Sequence, residues 1–214
     1  PQPGADPDNS ATSSSPTDAA TDTTGEPTSG ADEPVQPPVD CERPVEWSVR
    51  FGGPTFDTVQ ALAVDPAGNI YVGLDLRNLG DSAPVRFGAF EVVPGDLSNI
   101  VVARLTTDGE VVWVRQFGGP GDQYLWTLQH CGDGVVLYAE ADPGTVDLGA
   151  GPIAERVFLA ALDGAGELRW SHPVPTEDAD TWLLVTDMAC DRAGNLAMTG
   201  SHRGVVDLGG GPSS

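Results

Sequence analysis

Short apolar runs separated by turns rich in glycine, aspartate and proline recur along the chain after residue 44. The runs VQALAV and NIYVGL flank a turn at 65–68, and NIVVARL and EVVWVRQF flank a turn at 106–109. β-Branched and aromatic residues on both sides of such turns are typical of antiparallel hairpins. The run at 100–105 has little polar alternation, which predicts a strand covered on both faces. The pattern therefore predicts an all-β fold with two hairpins, or four antiparallel strands, in each unit.

The strand pattern repeats with the same anchors in the same order. A tryptophan is followed by a glycine-containing turn, which reads D-x-A-G-N at 65–69 and again at 191–195. The segments GTVDLGAGP at 144–152 and GVVDLGGGP at 204–212 match at seven of nine positions, and VRFGAF at 85–90 is a weaker counterpart. Recurring anchors in a fixed order indicate tandem repeats.

Units of 57 to 66 residues with four strands each are expected to form β-propeller blades. The units fall at about 45–110, 111–167 and 168–214, and the third ends before its second hairpin. The sequence therefore predicts an incomplete propeller of about two and a half blades. Because closed propellers usually have four to eight blades, we expect a fragment whose missing blades belong to the same chain.

The order W-x(4)-G-G, D-x-x-G-N, V-D-L-G-x-G and L-x(3)-G-E-x-x-W resembles bacterial β-propeller repeats of the SBBP type over roughly residues 45–214. Such repeats occur in exported proteins and lipoproteins, and the resemblance implies no catalytic residues. The segment ALDGAGELRW is also similar to the repeat of quinoprotein-like propellers, in which a Gly-x-x-x-Trp segment docks one blade onto the next. The cofactor pocket and metal-binding carboxylates of those dehydrogenases have no counterpart in the sequence, so no cofactor is predicted.

Composition separates residues 1–43 from residues 44–214. The first 40 residues contain eight Pro, six Thr, five Ser and eight acidic residues, but no Arg or Lys. Such a segment cannot bury enough apolar surface to offset the entropy of ordering, so we predict a disordered linker. A leader of this kind is typical of a tether for an exported domain. We therefore expect an extracellular, periplasmic or cell-surface location, with any lipid anchor upstream of Pro1.

The net charge of −22 excludes several classes of partner. A strongly negative field repels nucleic acid and anionic membrane surfaces. The sequence has no apolar run of 18 residues, so no transmembrane segment is predicted. It also lacks lysine, which a phosphate-binding loop requires, and it has no G-x-S-x-G motif for a nucleophilic serine.

The tryptophans are better explained by packing than by ligand stacking. Three of them share one place in the repeat and are predicted to be core anchors between blades: Trp47, Trp113 and Trp170. Trp126 and Trp182 are aligned with Gln60 of the first unit and are expected to line one face of the assembly.

The polar candidates do not form a recognisable site. One Asp and one Asn in each D-x-A-G-N turn are too few ligands for calcium, and Asp147 and Asp207 are interpreted as turn residues in the same way. The three histidines, His130, His172 and His202, show no ligand spacing. No catalytic, cofactor-binding or metal-binding residue is therefore predicted.

The three cysteines allow three single disulfides: Cys41–Cys131, Cys41–Cys190 and Cys131–Cys190. The last is favoured because Cys131 and Cys190 occupy nearly equivalent places in adjacent units. A zinc site from these two and a histidine is the alternative, but the C-x-x-C spacing of structural zinc is absent.

The sequence therefore predicts an exported or surface-tethered scaffold or binding module for an unknown protein or glycan ligand. The alternative is a propeller-based enzyme, such as a carbohydrate-active hydrolase with an axial site. Carboxylates or histidines converging at the axial end of the inner strands would distinguish the two functions.

Overall fold

The computed structural model describes residues 46–52, 57–78, 80, 83–95, 97–175, 180–209 and 211–213. All regular elements in these ranges are β-strands, which confirms the predicted all-β fold. The predicted linker at 1–43, including Cys41, lies outside the described residues. A helix long and apolar enough to cross a membrane does not occur in the described part of the chain. The strands are β1 Asp57–Val64, β2 Ile70–Arg77, β3 Val85–Phe87, β4 Phe90–Val92, β5 Ser98–Leu105, β6 Val111–Phe117, β7 Gln123–Cys131, β8 Gly134–Ala141, β9 Val146–Asp147, β10 Pro152–Ile153, β11 Val157–Leu162, β12 Leu168–Val174, β13 Trp182–Cys190, β14 Leu196–Arg203, β15 Val206–Asp207 and β16 Pro212–Ser213.

The strands form two four-stranded antiparallel sheets and the beginning of a third. The first sheet has the order β1-β2-β5-β6, the second has the order β7-β8-β11-β12, and the third pairs β13 with β14. Each four-stranded sheet consists of two hairpins, as the sequence predicts for an incomplete propeller. The last strand of each four-stranded sheet contains a repeated tryptophan, Trp113 in β6 and Trp170 in β12. Each sheet therefore begins one strand later than the sequence unit that starts at a tryptophan.

The first strand of each sheet lies beside the first strand of the next, because β7 contacts both β1 and β13. We call β1, β7 and β13 the inner strands. Each has a register shift, at Gln60, Trp126 and Thr186 respectively. Such a bulge adds one residue and increases the local twist of the strand.

The bulges correct the predicted alignment of Trp182. Thr186, not Trp182, holds the place of Trp126, and Trp182 lies four residues earlier, opposite Arg203. The three extra residues of the third repeat therefore lie between Trp170 and the bulge at Thr186, and the sequence alignment did not locate them there.

The apolar core has one cluster between the first and second sheets and another on the opposite face of the first sheet. In β5, Ile100 and Val102 pack with residues of the second sheet, whereas Val101 and Ala103 pack on the opposite side. Successive strand residues point to opposite faces, so a strand covered on both sides is apolar throughout. This confirms the prediction that the strand at 100–105 is covered on both faces. A third cluster, which includes Tyr138, joins the second sheet to the third.

The V-D-L-G-x-G segments form small hairpins, β9–β10 and β15–β16, between the second and third strand positions of a sheet. Asp147 Oδ1 accepts the N–H groups of Gly149 and Gly151 at 2.7 and 3.1 Å. Both glycines have a φ of 103°, which other residues rarely adopt. Asp207 makes the same two bonds in the third repeat. The motif is thus a turn in which the aspartate carboxylate accepts hydrogen bonds from backbone N–H groups.

Candidate interaction surface

The D-x-A-G-N turns use their carboxylates internally. Asp65 Oδ1 accepts the N–H groups of Ala67 and Asn69 at 2.9 Å, and its Oδ2 accepts Asn69 Nδ2 at 2.8 Å. Asp191 repeats this arrangement with Asn195. Although burial alone would raise the pKa of Asp65, the hydrogen bonds from Asn69 lower it below its ordinary value. The described residues contain no group of three or more His, Cys, Asp or Glu side chains arranged to bind a metal ion.

Two of the repeated tryptophans make the same contact with the next sheet. Trp47 Nε1 donates to the carbonyl of Thr107 at 2.9 Å, and Trp113 Nε1 donates to that of Gly164 at the same distance. Below each indole lies the glycine two residues after the accepting carbonyl: Gly109 below Trp47 and Gly166 below Trp113. A Cβ atom there would lie only 2.9 or 3.1 Å from the ring. In the sequence, the repeated F-G-G-P phrase begins four residues after each docking tryptophan.

The three tryptophans differ in environment. Trp113 is 6% exposed and packs edge-on against Tyr71 at 6.0 Å, whereas Trp47 is 37% exposed. Trp170 is 43% exposed, and its indole makes no hydrogen bond to another described residue. Two tryptophans therefore dock onto a neighbouring turn in the described structure, and the third does not.

Two carboxylates lie beside the inner strands, opposite the bulges. Asp75 is buried; its Oδ1 accepts the N–H of Leu125 in the second sheet at 2.8 Å, and its Oδ2 accepts Gln60 Nε2 at 2.6 Å. Glu140, at the equivalent position, accepts Trp126 Nε1 at 3.1 Å and pairs with Arg156 at 2.5 Å. Both carboxylates thus connect structural elements.

Asp75 is expected to make stability depend on pH. Burial raises its pKa, opposed by the hydrogen bonds from Leu125 and Gln60. Because the folded pKa exceeds the unfolded value near 3.8, the stabilisation is complete below that value and is lost as the pH rises through the folded pKa. Asp75→Asn should flatten this part of the profile. Urea unfolding of both proteins from acidic to neutral pH measures it. Asp108→Asn, at an exposed turn position, is the control. If the stability of all three proteins depended on pH in the same way, Asp75 would not be the cause of the pH dependence.

Cys131 and Cys190 form a disulfide with a Cα–Cα distance of 5.3 Å. The bond joins the ends of β7 and β13 and therefore connects the inner strands of the second and third sheets. Because both sulfurs are in the disulfide, neither is available as a thiolate ligand for zinc. Cys41, the third cysteine, lies outside the described residues.

The histidines lie in separate places. His130 is 6.3 Å from the ring of Tyr71, between the first and second sheets. His172 lies near Gly209, and His202 Nδ1 is 3.2 Å from the carbonyl oxygen of Gly204. The structure therefore does not bring the three together.

One face of the first sheet exposes apolar side chains that are buried in the other sheets. Val59, Leu62 and Val64 of β1 are 56%, 63% and 59% exposed. Leu125 and Leu128 occupy the places of Val59 and Leu62 in the second sheet, and both are buried against the first sheet. In the third sheet, Val185 and Met188 are likewise buried against the second.

We call the surface formed by Val59, Leu62 and Val64 the open face. It continues into a groove of about 220 Å³ between the segment at 46–52 and β1. Apolar residues of this groove include Val49, Phe51, Leu74, Leu76 and Phe87. A contiguous exposed apolar surface of this kind is a common feature of protein interaction sites. Sequence reasoning missed it, because the pattern of β1 is the same as that of the covered strands.

Part of the chain matches a known family. Residues 46–73 match the family model of the SBBP β-propeller repeat. The matched segment contains Trp47, β1 and the first half of β2, and therefore includes a docking tryptophan and most of an inner hairpin. No curated protein matches the chain. The family match at residues 46–73, the repeated tryptophan contact and the four-stranded sheets support an SBBP-type β-propeller repeat in this chain.

Proposed function

We propose that the chain is a scaffold in an exported or surface-tethered protein, and that its open face binds a further β-sheet of the same type. The main support for this proposal is that equivalent residues of the three sheets differ in burial. Leu62 is exposed in the first sheet, while Leu128 in the second and Met188 in the third are buried by the preceding sheet. The open face thus presents the apolar pattern that binds a neighbouring sheet twice within this chain.

The contacts between the first and second sheets indicate what the partner sheet would present. Gly73 permits close approach, because a Cβ atom there would lie 2.2 Å from Leu125 Cδ2. Asp75 accepts the Leu125 N–H at the same interface. A sheet bound at the open face would place a hydrogen-bond acceptor opposite Val59, and because Val59 lacks the Cδ2 atom of Leu125 there is room for a side chain at the place of Gly73. These requirements fit another propeller blade better than a glycan.

Export is supported by two features of the chain. The disulfide between Cys131 and Cys190 fits an oxidising compartment, since disulfides are rare in the cytosol. The acidic leader rich in Pro, Ser and Thr fits a tether. The proposal therefore includes an extracellular, periplasmic or cell-surface location.

No observation favours the alternative of a carbohydrate-active hydrolase. Glycoside cleavage generally requires two carboxyl groups that flank one bond of the substrate. Asp75 and Glu140 lie opposite two of the inner-strand bulges, and both already bind groups of the protein.

Sedimentation velocity over a wide concentration range tests the scaffold proposal, with a second copy of the chain as the probe. The third sheet of that copy exposes Ala197 and Thr199, which occupy the places of Tyr71 and Gly73. We expect association that Leu62→Glu abolishes, because it places a charge on the open face. Val112→Glu, on an exposed position of β6, should leave association unchanged. Wild-type protein that stays monomeric throughout, or equal association of the two variants, would refute the proposal.

A further inference from the structure

Trp126 is the aromatic member of the three bulge residues on the inner strands. Gln60 and Thr186 hold the same place in the first and third sheets, and all three residues are exposed. Each donates a side-chain hydrogen bond to the adjacent strand of its own sheet, at 2.6, 3.1 and 3.1 Å for Gln60, Trp126 and Thr186. An amide or a hydroxyl group is thus sufficient for this bond. The fold does not require an indole at this place, so the exposed ring of Trp126 needs another explanation.

A chain of polar contacts holds the indole of Trp126 in one orientation. Its Nε1 donates to Glu140 Oε2 at 3.1 Å, and Arg156 Nε donates to the other oxygen of that carboxylate at 2.5 Å. Arg156 also pairs with Asp142 at 3.2 Å. Because Nε1 is the only polar atom of the indole and is used in this chain, the exposed part of the side chain presents ring carbons. A ring that is already fixed loses little conformational entropy when a ligand binds.

We call Trp126, Glu140, Asp142 and Arg156 the Trp126 surface. The indole and the guanidinium flank one carboxylate, so an apolar ring lies beside groups that form hydrogen bonds. The side chains of Arg156 and Asp142 are 42% and 45% exposed, so a ligand on the ring can reach both. The surface belongs to the second sheet, whose inner strand contacts the inner strands of the first and third sheets. The sheets on both sides therefore leave this surface exposed.

The chemistry of the Trp126 surface suits a neutral sugar. A pyranose ring with equatorial hydroxyl groups presents a face of C–H groups, which are attracted to the electron-rich face of an aromatic ring. Its hydroxyl groups donate and accept hydrogen bonds, so a guanidinium and a carboxylate can bind adjacent hydroxyls. Two carboxylates and one guanidinium, in a chain of net charge −22, disfavour an anionic ligand. A protein partner fits less well, because charged residues are depleted at the centre of protein interfaces.

We propose that the Trp126 surface binds a neutral oligosaccharide of pyranose units with equatorial hydroxyl groups. One sugar ring stacks on the indole, and its hydroxyl groups bond to Arg156 and Asp142. Glu140 is a positioning residue, because its two oxygens are used by Trp126 and Arg156 and fix these two side chains relative to each other. The proposal does not rest on the open face, which lies on the first sheet.

Isothermal titration of the full chain with cellohexaose, a soluble glucose oligomer whose ring substituents are all equatorial, tests the proposal. We expect saturable binding by the wild type. Trp126→Gln copies the residue of the first sheet, retains a donor for Glu140 and removes the ring, so it should weaken binding about tenfold or more. Arg156→Gln should weaken binding about tenfold, because it removes a charged hydrogen-bond donor. Trp170→Gln, the same substitution at another exposed tryptophan, should bind as the wild type does.

A wild-type protein that does not bind cellohexaose would refute the proposal, and so would equal affinity of the wild type and Trp126→Gln. A loss of affinity in Trp170→Gln as large as in Trp126→Gln would refute it as well, because the sugar would then adhere to any exposed indole. If Trp126→Gln lost its β-sheet circular dichroism, nuclear Overhauser contacts in the wild type would decide. We expect contacts between sugar C–H protons and the Trp126 ring, and contacts with Trp170 instead would contradict the assignment.

Discussion

Trp113→Ala is expected to lower the free energy of unfolding by about 3–5 kcal/mol, the usual cost of truncating a buried tryptophan. The indole is almost fully buried between the first and second sheets and contacts Tyr71. Its Nε1 donates to Gly164, and its ring covers Gly166. The truncation therefore removes apolar contact and leaves the Gly164 carbonyl without this donor. Denaturant unfolding, monitored by circular dichroism, measures the change.

Trp126→Ala is the matched control for this loss. Trp126 is also on a strand, but its side chain is exposed and its Nε1 bonds the carboxylate of Glu140, which also pairs with Arg156. We expect its truncation to cost about 1 kcal/mol or less. Trp113→Phe should cost less than Trp113→Ala, because it retains a ring and loses the hydrogen bond. Equal, small losses for Trp113→Ala and Trp126→Ala would show that the Trp113 contact does not stabilise the stacked sheets.

Removing the disulfide is expected to have an effect of similar size. Cys131 and Cys190 are separated by 59 residues, and a crosslink that closes a loop of this length restricts the unfolded chain by about 4 kcal/mol in the loop-entropy description. The Cys131→Ser, Cys190→Ser double variant should lose about this amount, and amide exchange should accelerate most in β13 and β14. Those strands form a two-stranded sheet and have fewer backbone partners than strands of the complete sheets. Unfolding and hydrogen exchange with and without a dithiol reductant measure the effect.

Cys41→Ser is the control for the disulfide experiment. It leaves the Cys131–Cys190 bond intact, so its stability and its response to reductant should match the wild type. If Cys41→Ser were as unstable as the double variant, Cys41 would be part of the stabilising bond instead. Stability that does not change on reduction would show that the disulfide does not join the third sheet to the second.

Local sequence patterns were sufficient to predict the hairpins and the four-stranded sheets. Turns such as that at 65–69 are closed by bonds within five residues, so the Asp, Gly and Asn that form them are visible in the sequence. The repeat also indicated Cys131 and Cys190 as a pair, because equivalent ends of adjacent units are neighbours in space. The position of the strands within a sheet was not evident, since counting from tryptophan to tryptophan starts one strand too early.

The open face could not be predicted, because its exposure depends on which neighbouring sheet is present. Leu62 and Leu128 are the same residue type at equivalent places, yet one is exposed and the other is buried. Trp113 and Trp170 differ in the same way, although the segments around them are alike. Asp75 was missed for another reason: its partner in the second sheet, Leu125, is 50 residues away and uses a backbone N–H that has no sequence signature.

Nuclear Overhauser contacts of the tryptophan indoles give the most direct measurement of how the sheets stack, with single Trp→Phe variants used to assign each indole signal. We predict cross-peaks from Trp47 to the α-protons of Gly109 and from Trp113 to those of Gly166, since each ring lies directly over its glycine. Trp170 should show neither contact. Absence of both cross-peaks in folded protein, or indoles of Trp47 and Trp113 in contact with unrelated residues, would contradict the stacking of repeated sheets described for this chain.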